Sequence, residues 1–400
     1  MVKYDFDRVT DRTGTNSVKW DMRREVFGKE DVLPLWVADM DFPVAEPISE
    51  ALRRRTGHPF YGYTRPGASL LKSIIQRLKS KYNWRVEPEW LVFTPGVIPA
   101  LAAAIRAFTH PGDSVVIGDP VYHPFWSLIP NAGCRVAASP LKMVGGQYEM
   151  DYEDLTRQFA LDSSSFLPRP AAKMMILCSP HNPVGRVWTK DELKTAGRIA
   201  IDGGAVVVSD EVHCELLFDG VAHTPFASIS EEFAQNSMVC MSASKTFNLA
   251  GLAASVIIIP NPRLRADFQS ARAGIMPQPD IMAFAALEAA FSQGDEWLGQ
   301  LGAYLQANLD FLTGFIESRI PLIKIVRPQG TYLVWLDCRG LGLGPKELRS
   351  FFINQARVGL DDGFVFGSGG EGFQRMNIAC PRLILEEALS RIEQAVKTLS

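Results

Sequence analysis

No stretch of the 400-residue chain approaches the roughly 18 consecutive apolar residues that a membrane-spanning helix requires. The opening residues, Met1 to Arg8, lack the apolar core of a secretory signal, so a cytoplasmic location is expected. Six cysteines lie scattered at positions 134, 178, 214, 240, 338 and 380, and no two form a C-x-x-C pair. That argues against a zinc ribbon and a disulfide framework, and buried free thiols are expected. The six histidines show no metal-ligand spacing. His58, His110, His123, His181 and His223 read as structural or exposed, and no metal is expected. A net charge of −3 favours neither nucleic acid nor an anionic membrane as partner. Repeats and low-complexity tracts are absent, so a solenoid is not indicated. What remains is an ordinary globular composition, 47% hydrophobic and 21% charged.

Short apolar runs alternate with helical patterns through the middle of the chain. The runs are 91–93, 114–117, 135–138, 173–178, 205–209, 238–241 and 254–259; helices are expected at 97–108 and 190–202. Apolar strands separated by helices predict an α/β fold, a mostly parallel seven-stranded sheet covered on both faces. Segments 323–326, 331–336 and 374–379 predict a second, smaller sheet, joined through a long helix near 295–319. The expected division is an N-terminal segment, 1–45, packing on the small domain or the rim of the active site; a large domain, 46–290; and a small α+β C-terminal domain, 291–400.

Three strand-end loops carry chemistry. In Ser242-Ala243-Ser244-Lys245, an amine follows a strand and is flanked by two hydroxyls. Lys245 suits covalent attachment of a phosphorylated aldehyde, with Ser242 and Ser244 donating to its phosphate. In Val206-Val207-Val208-Ser209-Asp210, an acid ends an apolar strand, where it is costly without a cationic partner. A protonated pyridine nitrogen is such a partner, and His213 is placed to hydrogen-bond the ring oxygen. In Ser179-Pro180-His181-Asn182-Pro183, Asn182 can donate to that same oxygen. Together they point to pyridoxal 5′-phosphate (PLP), bound at the carboxyl ends of sheet strands.

With these loops in hand, the chain resembles the fold type I aminotransferase superfamily, and within it the MalY/PatB group of cystathionine β-lyases. The likeness also rests on Trp36-Val37-Ala38-Asp39-Met40-Asp41-Phe42-Pro43, Tyr61-Gly62-Tyr63, Thr94-Pro95-Gly96-Val97-Ile98, Pro120-Val121-Tyr122 and Phe373-Gln374-Arg375-Met376-Asn377. It implies that Gly96, Val97 and Ile98 open a helix onto the phosphate. It makes Tyr122 the aromatic residue stacked on the pyridine ring and a catalytic candidate beside Lys245. Arg375 becomes the clamp on the substrate α-carboxylate, with Asn182 and Ala38 also at the substrate. Tyr61 would reach the phosphate of a neighbouring subunit, which implies a homodimer with shared sites.

The expected reaction is α,β-elimination of cystathionine or a cysteine conjugate to a thiol, pyruvate and ammonia, a step of sulfur amino-acid metabolism such as methionine biosynthesis. Transamination by the same residues is the alternative. A regulatory binding protein that keeps the enzyme fold is a third. One departure weakens the transaminase reading: Ala253 stands where many aminotransferases carry a phosphate-binding arginine. Gly367-Ser368-Gly369-Gly370-Glu371-Gly372 has dinucleotide-loop spacing but precedes a strand, so a flexible loop is expected there. Arg53-Arg54-Arg55 reads as a solvated helix end.

Overall fold

The computed structural model describes residues 3–161 and 170–399. Its strands run in chain order: β1 (Leu33–Pro34), β2 (Leu91–Thr94), β3 (Ser114–Asp119), β4 (Arg135–Val144), β5 (Gln147–Met150), β6 (Met174–Cys178), β7 (Val206–Asp210), β8 (Ser237–Met241), β9 (Ser255–Ile258), β10 (Lys324–Val326), β11 (Leu333–Asp337), β12 (Val358–Gly359), β13 (Asp361–Asp362) and β14 (Phe373–Asn377). The large sheet has the order β2-β9-β8-β7-β6-β3-β4-β5. Strands β8, β7, β6, β3 and β4 pair in parallel, whereas β9 is antiparallel to both its neighbours.

The sheet therefore has eight strands where the apolar runs predicted seven. The eighth, β5, returns from β4 through Gly145-Gly146, both at positive φ (57° and 85°), a two-residue hairpin that only such a pair accommodates easily. Its sequence, Gln-Tyr-Glu-Met, is polar at alternate positions and mostly solvent-facing, so it carries no apolar signal.

Alternate residues of the central strands enter opposite cores. Met175, Leu177 and Val207 pack on one face, and Met174, Ile176 and Val208 on the other. The helix Val97–Phe108 covers the second face through Ala100, Leu101, Ala104 and Ile105. The helix Lys190–Asp202 covers the first, started by a reciprocal Thr189–Glu192 capping box. All six cysteines are buried and free. No helix among the described residues is long and apolar enough to cross a membrane.

The smaller antiparallel sheet has the order β10-β11-β14-β13. Its edge strand β13, Asp361-Asp362, lies outside the three segments expected for this sheet, since two adjacent acids carry no apolar signal. The first residues of the chain cross this region: β1 pairs in parallel with β12, and the Phe6 ring lies 5.1 Å from Phe42 and 5.9 Å from Trp297. Lys19 is fully buried, held by Asp41 at 2.6 Å.

The expectation of a flexible 367–372 loop is corrected. Ser368 Oγ donates to Asp119 at 2.7 Å, and the Gly369 N–H donates to the same carboxylate at 3.2 Å. A Cβ on Gly367, at φ 122°, would sit 2.1 Å from Asp119. The glycines here permit close backbone approach, not flexibility.

Because β2, β3, β6, β7 and β8 all run the same way, their carboxyl ends open on one edge of the sheet. The loops that follow carry Gly96, Tyr122, Asn182, Asp210 and Lys245 to that edge.

Candidate active site

Lys245 lies in a short helix, Ala243–Thr246, just after β8. Its Nζ donates to the Ala38 carbonyl at 2.7 Å, and that carbonyl also accepts the Tyr332 hydroxyl at 2.9 Å. Burial, reinforced by the nearby Arg375 cation, lowers the Lys245 pKa to about 8, against the opposing pull of Asp39 and Asp210. About a tenth of such a group is neutral at pH 7. A lysine so placed can act as nucleophile and base under neutral conditions.

Asp210 ends β7 and is buried. Its carboxylate accepts the Val212 N–H at 3.2 Å, and burial raises its pKa to about 7 despite that bond and the Lys245 charge. Such an acid suits a cationic partner brought from outside the chain. His213 is buried with its ring 5.9 Å from Tyr332, and its Nδ1 has no partner. Burial holds that imidazole far below its usual pKa, so it is neutral.

Asn182 and Arg375 meet across the site: the guanidinium Nη1 donates to Asn182 Oδ1 at 2.9 Å. Since a guanidinium only donates, the Asn182 NH₂ is turned away and free to serve another acceptor. Arg375 Nη2 donates to the Trp36 carbonyl at 3.2 Å and pairs with Asp361, while Nε is buried without a partner. The Phe366 ring lies 4.8 Å from the guanidinium carbon. The Tyr122 ring stands edge-on to His123 at 5.2 Å and Phe125 at 5.8 Å, and burial raises its pKa.

Gly96 precedes the helix Val97–Phe108 at φ 136°, a backbone state that side chains rarely tolerate. No side chain caps that helix, so its first N–H groups remain for an anion. Ser244 is half-buried next to the lysine. Ser242 is buried in the same loop. Its hydroxyl donates to the Ala254 carbonyl at 2.7 Å and accepts the Ser244 N–H at 3.0 Å, so its proton is spent on shaping the lysine loop. Tyr61 stands apart from the cluster: it is 61% exposed, its hydroxyl 3.4 Å from the Thr56 carbonyl and its ring beside Arg55.

Four positioning residues escaped the sequence reading. Asn248, at φ 57°, accepts the Met40 N–H and donates to the Met40 and Phe42 carbonyls, each at 3.0 Å. Asn377 donates to the Val37 and Asp39 carbonyls at 2.6 and 2.7 Å. With Tyr332 they fix segment 36–42, and with it the Ala38 carbonyl that holds Lys245. Asn377 is an amide at the end of a buried strand, where it must find partners. The fourth, Asp361, is the acid on Arg375.

The parallel sheet and the lysine, acid and arginine at its carboxyl edge define a class: the chain belongs to the aminotransferase class I and II family, whose profile matches residues 30–392. More narrowly, it is 41% identical to cystathionine beta-lyase PatB of Bacillus subtilis, over 98% of this chain and 99% of that protein. It is 32% identical to protein MalY of Escherichia coli, over 99% and 100%. Cystalysin of Treponema denticola, whose crystal structure contains pyridoxal 5′-phosphate, superposes with a TM-score of 0.94 at 35% identity and full coverage of both chains. The PLP-bound C-S lyase of Staphylococcus hominis superposes at 0.90 with 31% identity, over 99% and 98%.

Proposed function

We propose that this chain is a PLP-dependent carbon–sulfur lyase that cleaves L-cystathionine or a cysteine S-conjugate to a thiol, pyruvate and ammonia. The observation that carries the reading is the convergence of one partly neutral, half-buried lysine with Asp210, Asn182 and Arg375. The site fits the cofactor on chemical grounds. Asp210 is a buried acid suited to the ring nitrogen, the His213 Nδ1 and Asn182 amide face no internal acceptor, and an uncapped helix start with Ser244 suits the phosphate. When bound, PLP supplies an electron sink that stabilises negative charge at the substrate Cα.

The chain's residues do the rest. Lys245 would hold the cofactor, and its Nζ is the base placed to take the substrate Cα proton. The Ala38 carbonyl accepts a hydrogen bond from that nitrogen and keeps it aimed. Arg375 would grip the α-carboxylate, Asn182 steadies the guanidinium, and Tyr122 would cover the ring. Base catalysis of this kind contributes roughly 10²–10⁴-fold to rate.

The decisive assay gives the enzyme PLP and L-cystathionine with no keto-acid acceptor. Pyruvate and free thiol are the expected products. Turnover that appears only when an acceptor is added would make it an aminotransferase, and none under either condition would favour a binding role.

The exposed Tyr61 supports a homodimer in which each subunit completes the other's phosphate site. A 1:1 mixture of Tyr61→Ala and Lys245→Ala subunits, refolded together, is expected to recover about a quarter of wild-type activity. Half of the dimers are mixed, and each mixed dimer holds one intact site of two. No recovery means that Tyr61 serves its own subunit, and full activity in Tyr61→Ala alone means that it serves neither.

A further inference from the structure

Arg375 and Asp361 stand directly opposite each other in the β13–β14 ladder. Asp361 Oδ2 accepts from Nη2, the same nitrogen that donates to the Trp36 carbonyl. Both side chains are largely buried, with exposures of 3% for Arg375 and 17% for Asp361. The neighbouring acid, Asp362, is separately engaged by Arg349 and by the Gln374 amide at 3.0 Å. Among the described residues Asp361 is the only carboxylate in an ion pair with Arg375. The residue that grips a substrate carboxylate thus already carries one.

We propose that Asp361 is the resident counter-ion of Arg375: a positioning residue that fixes the guanidinium plane and moderates how tightly the site holds an α-carboxylate. The inference rests on Arg375 being the carboxylate clamp of the proposed lyase. In the substrate-free protein, Asp361 offsets the cost of burying a lone guanidinium. When a substrate carboxylate arrives, two like charges flank one cation, and the second is held less firmly than it would be alone. Burial already works against the Asp361 charge, raising its pKa even beside Arg375. The product, pyruvate, carries a carboxylate too, so a moderated clamp eases its release.

The test is Asp361→Asn, which keeps an oxygen acceptor for Nη2 and removes the charge. Propionate, a carboxylate without an amine, is titrated calorimetrically into the PLP-loaded variant and wild type. Its Kd is expected to fall on the order of tenfold in the variant, since the competing charge is gone. KM for L-cystathionine should fall in parallel, with kcat changing less than KM. The ligand-free Tm should fall, because the guanidinium loses its counter-charge, while propionate raises Tm more than in wild type.

A scaffold role alone would lower Tm and leave propionate affinity unchanged or weaker, and that result overturns the proposal. Asp361→Ser, a smaller neutral acceptor, must give the same sign and serves should the first variant fail to fold. The two readings separate cleanly. Tighter propionate without pyruvate production keeps the Asp361 assignment and removes the lyase. Pyruvate production with unchanged propionate binding does the reverse.

Discussion

Lys245→Ala should abolish the visible absorbance of lysine-linked PLP, leave no borohydride-trappable bond to the chain, and reduce turnover by at least the 10²–10⁴-fold ordinarily contributed by a general base. The size of the loss follows from the single amine serving two purposes. It is the attachment point, and it is the base at the substrate Cα. Its usefulness at neutral pH comes from burial, which brings its pKa down to about 8. Electrostatics also make it a burden. Below pH 8 the folded protein holds a buried ammonium that the unfolded chain would solvate freely. That penalty is relieved as pH rises from about 8 towards the ordinary lysine value, 10.5. Retained absorbance and turnover in Lys245→Ala would end the lysine assignment.

Asp210→Asn should move activity and stability in opposite directions. Activity is expected to fall on the order of 10²–10³-fold, the range for losing one preorganised electrostatic contact with a reacting group. Without its cofactor, however, the variant should be more stable than wild type at pH 7 and above. The reason is the sign of the pKa shift. Burial raises the Asp210 pKa from 3.8 to about 7, so only below pH 3.8 are the folded and unfolded states both largely protonated, with little penalty. As pH rises from 3.8 towards 7, the unfolded chain ionises while the buried acid holds its proton, and stability is lost, on the order of 1–4 kcal/mol by pH 7 and above. Thermal melts of the PLP-free proteins at pH 4.5 and 8 should show a clearly larger advantage of asparagine at pH 8. With PLP bound the order should reverse, since the pyridinium repays the ionised carboxylate. An equal Tm gap at both pH values would mean that Asp210 is not the titrating group. Stability given up at a working residue is a common feature of enzyme sites.

Much of the site was legible because its chemistry is local. A lysine between hydroxyls, an acid ending an apolar strand and an asparagine in a proline turn each follow a strand of the same sheet. Parallel strands must bring such loops to one edge. Arg375 was harder. On residue type alone it reads as a surface charge, and the family resemblance singled it out; its burial against Asn182 became visible only in the fold. For Ser242 the sequence shows only a hydroxyl beside a lysine, which says nothing of where its proton goes. The Ala254 carbonyl that takes it is twelve residues away in sequence. The 367–372 loop was misjudged for the same reason: glycine spacing does not reveal that Asp119 approaches from another strand.

By itself, the sequence determined the α/β class, the strand-and-helix rhythm and the three loops that carry lysine, acid and amide, since periodicity and strand-end chemistry act over a few residues. Only the tertiary structure decided which groups are left unpaired and which are spoken for. It turned the Ala38 carbonyl towards Lys245, fixed segment 36–42 through Asn248 and Asn377, and set Asp361 against Arg375. Charge and hydrogen-bond balance in a buried site depends on partners from 14 to more than 200 residues apart, and no local pattern encodes them.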